Sequence, residues 1–384
     1  MTTQMSRRTD ARVSGEDRVL SLDVLRGWAV GGMLVVNFGY FSQEGLADQG
    51  GADAWGAPLV QFLADGKFFT LFSVLFGVGF AMQVDRAAAR GTAFAPVYVR
   101  RLLTLLLLGL AHALLHPLEI LHRYALLGVL LLPLRTASTR TLVVVGVVGL
   151  IAPPLLGSLA AAETGPSERP ALVYANAGLA EVVSQNVARF RREAVDLRAL
   201  GPFPYFVVGL YLGRRRRLDL VTGADGPLAR ARWWLLGVGI GLQAAVVAIV
   251  LTAPALVPTM LRPLIPTLLD VGSALMGLFY AAVIVLALRD VRWQRRLAGL
   301  AAVGRMALSN YLLQTVVVTT LLYGYGAGLH GRLRVVTGLP VACVIFAVQV
   351  ALSRWWIARF RLGPAEWLWR SVTYGGWQPL RLDR

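Results

Sequence analysis

The chain has 384 residues, 56% of them hydrophobic and only 15% charged, with a formal net charge of +17. Repeated apolar runs of about 17 residues or more, each long enough to cross a bilayer, exclude an ordinary soluble protein of one or two domains. The positive charge is almost all Arg, with Lys67 the only Lys, and no basic soluble domain carries it, which argues against a nucleic-acid partner.

These features predict an all-α, polytopic integral membrane bundle of about ten transmembrane helices. Candidate spans lie near 19–41, 58–83, 100–116, 119–134, 140–160, 201–213, 232–254, 267–288, 302–325 and 338–358. Residues 1–18 are polar and read as a disordered cytoplasmic tail. No apolar segment precedes Val19, so no cleaved secretory signal is expected. Residues 19–213 form a first half of six spans, 214–232 an Arg-rich cytoplasmic linker, and 233–384 a second half. With the amino terminus inside, most Arg residues fall in the segments that face the cytoplasm. The positive-inside rule then places both termini there, in the plasma (inner) membrane. Arg214–Arg217 reads as a stop signal and a contact for anionic lipid head groups. No pattern in the sequence fixes an oligomeric state.

The first span, SLDVLRGWAVGGMLVVNFGYF, carries three groups that lipid disfavours. Asp23 and Arg26 stand three residues apart on one side of the helix. They form either a mutually neutralising pair or a site where Arg26 holds an anion such as phosphate. Asn37 lies about 21 Å higher at 1.5 Å per residue, near the outer side. Gly27 with Gly31, and Gly237 with Gly241 in the seventh span, are pairs of small residues that let helices approach closely.

The second span, PLVQFLADGKFFTLFSVLFGVGF, descends and puts Lys67 roughly 10–15 Å below the outer boundary. At that depth Lys67 is either a functional group or one half of an ion pair with Asp65 or Glu119. The next two spans meet at GLAHALLHPLEILHRYALLG. His112 falls inside the membrane, with His116 and His122 nearer water. The spacing of His112, His116, Glu119 and His122 admits a metal, but Pro117 breaks the helix and no further carboxylate orients the rings, so none is expected. His112 reads as a proton-transfer group at depth, or as a His bonded to a neighbouring helix.

The external segment 161–200 opens as a Gly/Pro/Ser loop. From about Tyr174 its apolar residues fall on one face, predicting a helix on the outer surface, with a lid over an outward cavity as the alternative. In GRMALSNYLLQTVVVTTLLYGYG, Asn310 and Gln314 share a face, as interhelical hydrogen-bonding groups or as the lining of a polar cavity. Cys343 is the only cysteine and reads as an inert buried thiol. RWWIARFRLGPAEWLWRSVTYGGW alternates Arg with Trp, as an interfacial anchor does.

GRMALSNYLLQTVVVTTLLYGYGAGLHG and FRLGPAEWLWRSVTYG closely resemble the carboxy-terminal region of the YeiB-like family, classed as domain of unknown function 418. LDVLRGWAVGGMLVVNF, DGKFFTLFSVLFGVGFAMQ and GLAHALLHPLEILHRYALLGVLLLPL resemble that family's amino-terminal half. The resemblance implies a membrane protein, sometimes described as a possible transporter. The first helix also resembles heparan-alpha-glucosaminide N-acetyltransferase and its bacterial relatives, in the order Asp23, Arg26, Gly27, Met33, Asn37. That likeness implies passage of an acyl group from cytoplasmic acyl-CoA, as co-substrate, to an acceptor on the far side. Those enzymes use a His in the following external loop, whereas SQEGLADQGGADAWGAPL holds none. His112 would take that role as general base, with Asn37 or Lys67 steadying the developing oxyanion. Asn37, Lys67 and His112 are expected to share one pocket with Glu119 at its rim. Asp23, Arg26, Glu119, Asn310 and Gln314 would contact the small-molecule substrate. The competing readings are a transporter of a small anionic solute and a non-catalytic cell-envelope scaffold.

Overall fold

Apolar runs with helical periodicity fold here as helices, since in lipid every backbone polar group must be satisfied within the chain. The structure, a computed structural model, describes residues 2–43, 53–164, 174, 176–193, 197–214, 227–253, 257–333 and 335–382. The first half contains α1 (Thr2–Gln43), α2 (Asp53–Ala64), α3 (Lys67–Arg90), α4 (Phe94–Ala113), α5 (Leu121–Val129), α6 (Leu131–Leu134), α7 (Thr139–Thr164), α8 (Leu179–Glu193) and α9 (Phe203–Arg214). The second contains α10 (Pro227–Thr252), α11 (Ile265–Ala287), α12 (Val291–Arg305), α13 (Ala307–Leu322), α14 (Val335–Ile357) and α15 (Pro364–Tyr374). The only β-type pairing among the described residues is an isolated antiparallel bridge between Phe360 and Arg381.

Six of these stretches are long and apolar enough to cross a membrane: Gly56–Arg90, Phe94–Ala113, Thr139–Gly157, Arg230–Thr252, Leu261–Ala287 and Val336–Ile357. They match six of the ten candidate spans. The other four candidates fall on elements that are shorter or more polar. The span at 19–41 lies on α1, which carries Asp23, Arg26 and Asn37, and that at 119–134 is split between α5 and α6. The span at 201–213 is the 12-residue α9, and that at 302–325 is interrupted at Met306 between α12 and α13. Large apolar side chains such as Trp234, Leu107 and Leu251 face outward, as a lipid-facing surface requires.

Three features differ from the sequence reading. The backbone is helical from Thr2 rather than from Val19, because a helix already nucleated in the span extends cheaply into a segment without Pro. The span at 58–83 is broken at Gly66, whose positive φ of 74° separates α2 from α3. Cys343 is exposed on α14 rather than buried.

The bundle is tied together by α3 against α9, α10 against α11, α1 against α12, and the α4–α5 hairpin. At the α1–α12 crossing the backbones nearly touch. A Cβ on Gly27 would collide with the Leu300 carbonyl, and one on Gly304 with the Asp23 carbonyl. The second small-residue pair behaves differently: Gly237 and Gly241 have open space where their Cβ atoms would be. Gly239, between them, is the residue that meets Gly272 on α11.

This contrast is testable. Gly27→Val forces backbone apart and is expected to cost at least about 1–3 kcal/mol, the usual penalty for overpacking. Gly237→Ala and Gly241→Ala should leave thermal unfolding in detergent unchanged. Equal losses at all three positions would refute the assignment of the close crossing.

Candidate functional site

A cavity of about 500 Å³ opens at the end of the bundle where Arg residues gather. Its wall follows α1 from Asp23 through Arg26 and Val30 to Met33, about 15 Å at 1.5 Å per residue. Arg26, Arg86, Arg101, Arg305, Arg361 and Arg370 line it, with Asp23 and Glu366 as the carboxylates. Arg26 bonds Asp23 at 3.0 Å, the pair expected from their spacing. The deeper walls are apolar and aromatic, from Phe72, Phe76, Leu105, Leu121 and Tyr124. Tyr311 also lines it; its buried hydroxyl lies against the Ile120 backbone and donates to no acceptor among the described residues.

The floor of this cavity comes from α15, an element that sequence reasoning treated as a membrane anchor. Glu366 accepts from the amides of Leu308 at 2.7 Å and Ser309 at 3.2 Å, and from the Ser309 hydroxyl. Those amides belong to the first turn of α13, which has no partners of its own there. A carboxylate at that end also meets the favourable side of the helix dipole. Burial pushes the Glu366 carboxyl above its ordinary value of 4.5, against the lowering effect of these hydrogen bonds. Trp369 donates its indole N–H to the Arg101 carbonyl at 2.8 Å, and the Arg101 guanidinium lies 3.8 Å from the centroid of the Trp369 ring.

Beyond the apolar end of the cavity stands a cluster of buried polar groups. His112, at the end of α4, is joined through Nδ1 to the Glu119 carboxylate, whose other oxygen accepts the Leu121 amide. His112 Nε2 lies 2.7 Å from Thr315 Oγ1 on α13. The His112 ring contacts those of Tyr311 and His116, at centroid separations of 5.0 and 5.1 Å. His116 accepts the Leu118 amide on Nδ1 at 2.9 Å, and the Asn37 amide lies 3.3 Å from its Nε2. It is the Asn37 Nδ2 that stands there; a neutral ring that accepts on Nδ1 carries its proton on Nε2, so a hydrogen bond at this point requires the Asn37 amide turned to present its oxygen.

The structure therefore brings Asn37 within one ring of His112, and Glu119 into direct contact with it. Glu119 is buried at 4% exposure rather than sitting at a rim. His116 and His122, expected nearer water, are buried as well. The cover is α8: Asn186 donates to the Leu114 carbonyl at 2.9 Å, and Phe190 packs on the His122 ring. Lys67 stands apart from this cluster. Its ammonium donates to Gln243 Oε1 at 3.1 Å and Ser273 Oγ at 3.2 Å, on α10 and α11. Asn310 and Gln314 face α14, where they bond Ser353 and Gln349 at 2.9 Å each, and neither lines the cavity.

Sequence reasoning missed Thr315, Tyr311, Glu366 and five of the cavity arginines, Arg86, Arg101, Arg305, Arg361 and Arg370. Tyr311 and Thr315 are four apart and so share a helix face, which was the one available signal. The arginines come from five separate elements, and only the fold gathers them.

Comparison with known proteins adds a lineage. The family described as "Protein of unknown function (DUF418)" matches residues 213–376. "Uncharacterized protein YxaH" of Bacillus subtilis (strain 168) is 31% identical, over 95% of this chain and 96% of its own. "Uncharacterized protein YeiB" of Escherichia coli (strain K12) is 32% identical, over 93% and 96%. "Uncharacterized 39.9 kDa protein in amylase 3'region" of Bacillus acidopullulyticus is 28% identical, over 96% and 97%. No solved structure matches the chain.

Glu366 offers a direct check on the cavity floor. Its folded pKa is raised, so the unfolded chain ionises first as pH climbs, and stability falls from about the ordinary carboxylate value upward. Glu366→Gln, neutral throughout, should remove that slope. Glu366→Ala should cost about 0.5–2 kcal/mol by uncapping α13. Thermal unfolding of the three proteins across pH reads both effects, and an unchanged pH slope in the Gln variant would contradict the assignment.

Proposed function

The chain belongs to the YeiB-like (DUF418) family, as a multi-pass helical membrane protein, and from that premise we propose that it transfers an acyl group from acyl-CoA to an acceptor. The observation that carries this reading is the cavity, which joins six arginines at its mouth to Tyr311, whose ring touches His112. Guanidinium groups grip phosphate oxygens by paired N–H donors, which suits the phosphates of coenzyme A. The slim pantetheine arm suits a passage with apolar walls, and it would present the thioester near Tyr311. His112, held on Nδ1 by Glu119, directs Nε2 at Thr315 Oγ1, 2.7 Å away, and would act as a general base toward an acceptor hydroxyl or amine that takes the place of that hydroxyl. Of the two donors considered for the oxyanion, Asn37 is the better placed, through its contact with His116 beside His112.

On this reading the basic end faces the cytoplasm, with both termini there, and the bundle makes about ten crossings of the plasma (inner) membrane. The span in α1 and the shorter α5–α6, α9 and α12–α13 would complete the crossings that the six long stretches leave open. The Arg asymmetry of the sequence supports that orientation, and so does the need for acyl-CoA to arrive from inside. Lys67, buried between α3, α10 and α11, favours the second reading, transport of a small anionic solute.

Thermal unfolding of the purified protein separates the two. Coenzyme A at about 100-fold its dissociation constant should add about 2.7 kcal/mol. Arg86→Gln combined with Arg370→Gln should abolish that shift. His112→Ala should keep the shift while membranes containing the variant no longer consume acetyl-CoA. Lys67→Met should leave the coenzyme A shift intact. A protein indifferent to coenzyme A but stabilised by a small anion, with that response lost in Lys67→Met, would favour the transporter instead.

A further inference from the structure

Glu119, His112 and Thr315 stand in the order in which a carboxylate, an imidazole and a hydroxyl activate a nucleophile. The Glu119 carboxylate can only accept, so His112 donates to it through Nδ1–H. Nε2 then presents a lone pair, and Thr315 Oγ1 is 2.7 Å from it. All three side chains are more than nine-tenths buried.

The behaviour of other threonines makes Thr315 stand out. Thr70, Thr104, Thr319 and Thr373 each donate to the carbonyl four residues back, the ordinary outlet for a Thr hydroxyl within a helix. Thr315 instead directs its hydroxyl across to the His112 ring. One turn nearer the basic end on the same helix, Tyr311 lines the inner part of the cavity with a hydroxyl that meets the Ile120 backbone and donates to no acceptor among the described residues. A donor is thus left over where a thioester carbonyl would arrive.

We infer that Thr315 is the nucleophile of a two-step transfer, so that the protein itself carries the acyl group between the two faces. The inference rests on the acyl-CoA reading above. In the first step Thr315 Oγ1 attacks the thioester carbonyl carbon while His112 Nε2 takes the hydroxyl proton. The resulting oxyanion faces the Tyr311 hydroxyl. Collapse breaks the C–S bond, and the departing sulfur takes the proton from Nε2 and leaves as the free thiol of coenzyme A. In the second step an acceptor hydroxyl or amine from the opposite face gives its proton to Nε2 and attacks the Thr315 ester. The bond from the acyl carbon to Oγ1 breaks, and Oγ1 recovers the proton. Both steps balance without an oxidant or a further co-reactant. Coenzyme A and acceptor then never need to occupy the passage together.

The test requires no knowledge of the acceptor. Purified protein is incubated with acetyl-CoA and isotopically labelled coenzyme A alone. A covalent intermediate moves label into acetyl-CoA and adds the mass of one acetyl group to the peptide containing Thr315. Thr315→Ser should retain both signals. Thr315→Val, which keeps the shape without the hydroxyl, should lose exchange by at least about 100-fold while still being stabilised by coenzyme A. Tyr311→Phe should slow exchange without moving the acetylated position. If coenzyme A stabilises the protein and membranes consume acetyl-CoA, yet exchange is absent or persists in Thr315→Val, the two-step proposal falls. The acyl-CoA reading then survives, with His112 acting directly on the acceptor. If coenzyme A does not stabilise the protein, both fall together.

Discussion

A carboxylate inside a membrane bundle must be paired, and the Glu119 interaction answers that requirement in a way that organises its surroundings. One oxygen meets His112 Nδ1 and the other the Leu121 amide, so a single group joins the end of α4 to the start of α5. An uncompensated charge there would cost several kcal/mol. The turn between the helices is therefore held by electrostatics as well as by the packing of Gly109 against the His122 backbone. Because Glu119 claims Nδ1, the ring has one tautomer, and its other nitrogen is aimed at α13. The chemistry available to the cluster follows from that one constraint.

The opposite end is governed by repulsion. Six guanidinium groups around one cavity, set against two carboxylates, leave an excess of positive charge that an anion would relieve. The protein manages the excess locally: Asp23 neutralises Arg26, Trp369 spreads its ring under Arg101, and Glu366 is spent on the α13 terminus. Arg305 donates to the Arg361 carbonyl at 3.4 Å. The same α15 residues that close the cavity also fix α13, so the floor, the basic rim and the placement of Tyr311 and Thr315 are mechanically one unit.

Lys67 shows why burial alone does not identify a shared site. Its ammonium turns toward Gln243 and Ser273, away from the His112 cluster. The break at Gly66 sets that direction: with φ of 74° it redirects the chain, and Ser273 Oγ occupies the space a Cβ would need. Helical rise gives height and says little about azimuth once a glycine resets the helix. Two polar groups at one level can thus belong to different interfaces.

The sequence by itself determined the helical membrane architecture and the Asp23–Arg26 pair, because each depends on hydropathy or on neighbours within one helix, and its long motifs carried the family. It also marked Asn310 and Gln314 as interhelical hydrogen-bonding groups, through their four-residue spacing. It did not determine that α2 and α3 are separate, that Gly237 and Gly241 face open space, or that His116 lies under α8. Nor did it give Thr315 to His112, 203 positions apart in the chain, or Glu366 to the first turn of α13. Those pairings were decided by the tertiary structure, because a polar group withdrawn from water takes whichever partner the packing of helices brings within about 3 Å, and that choice is not written in the spacing of either segment.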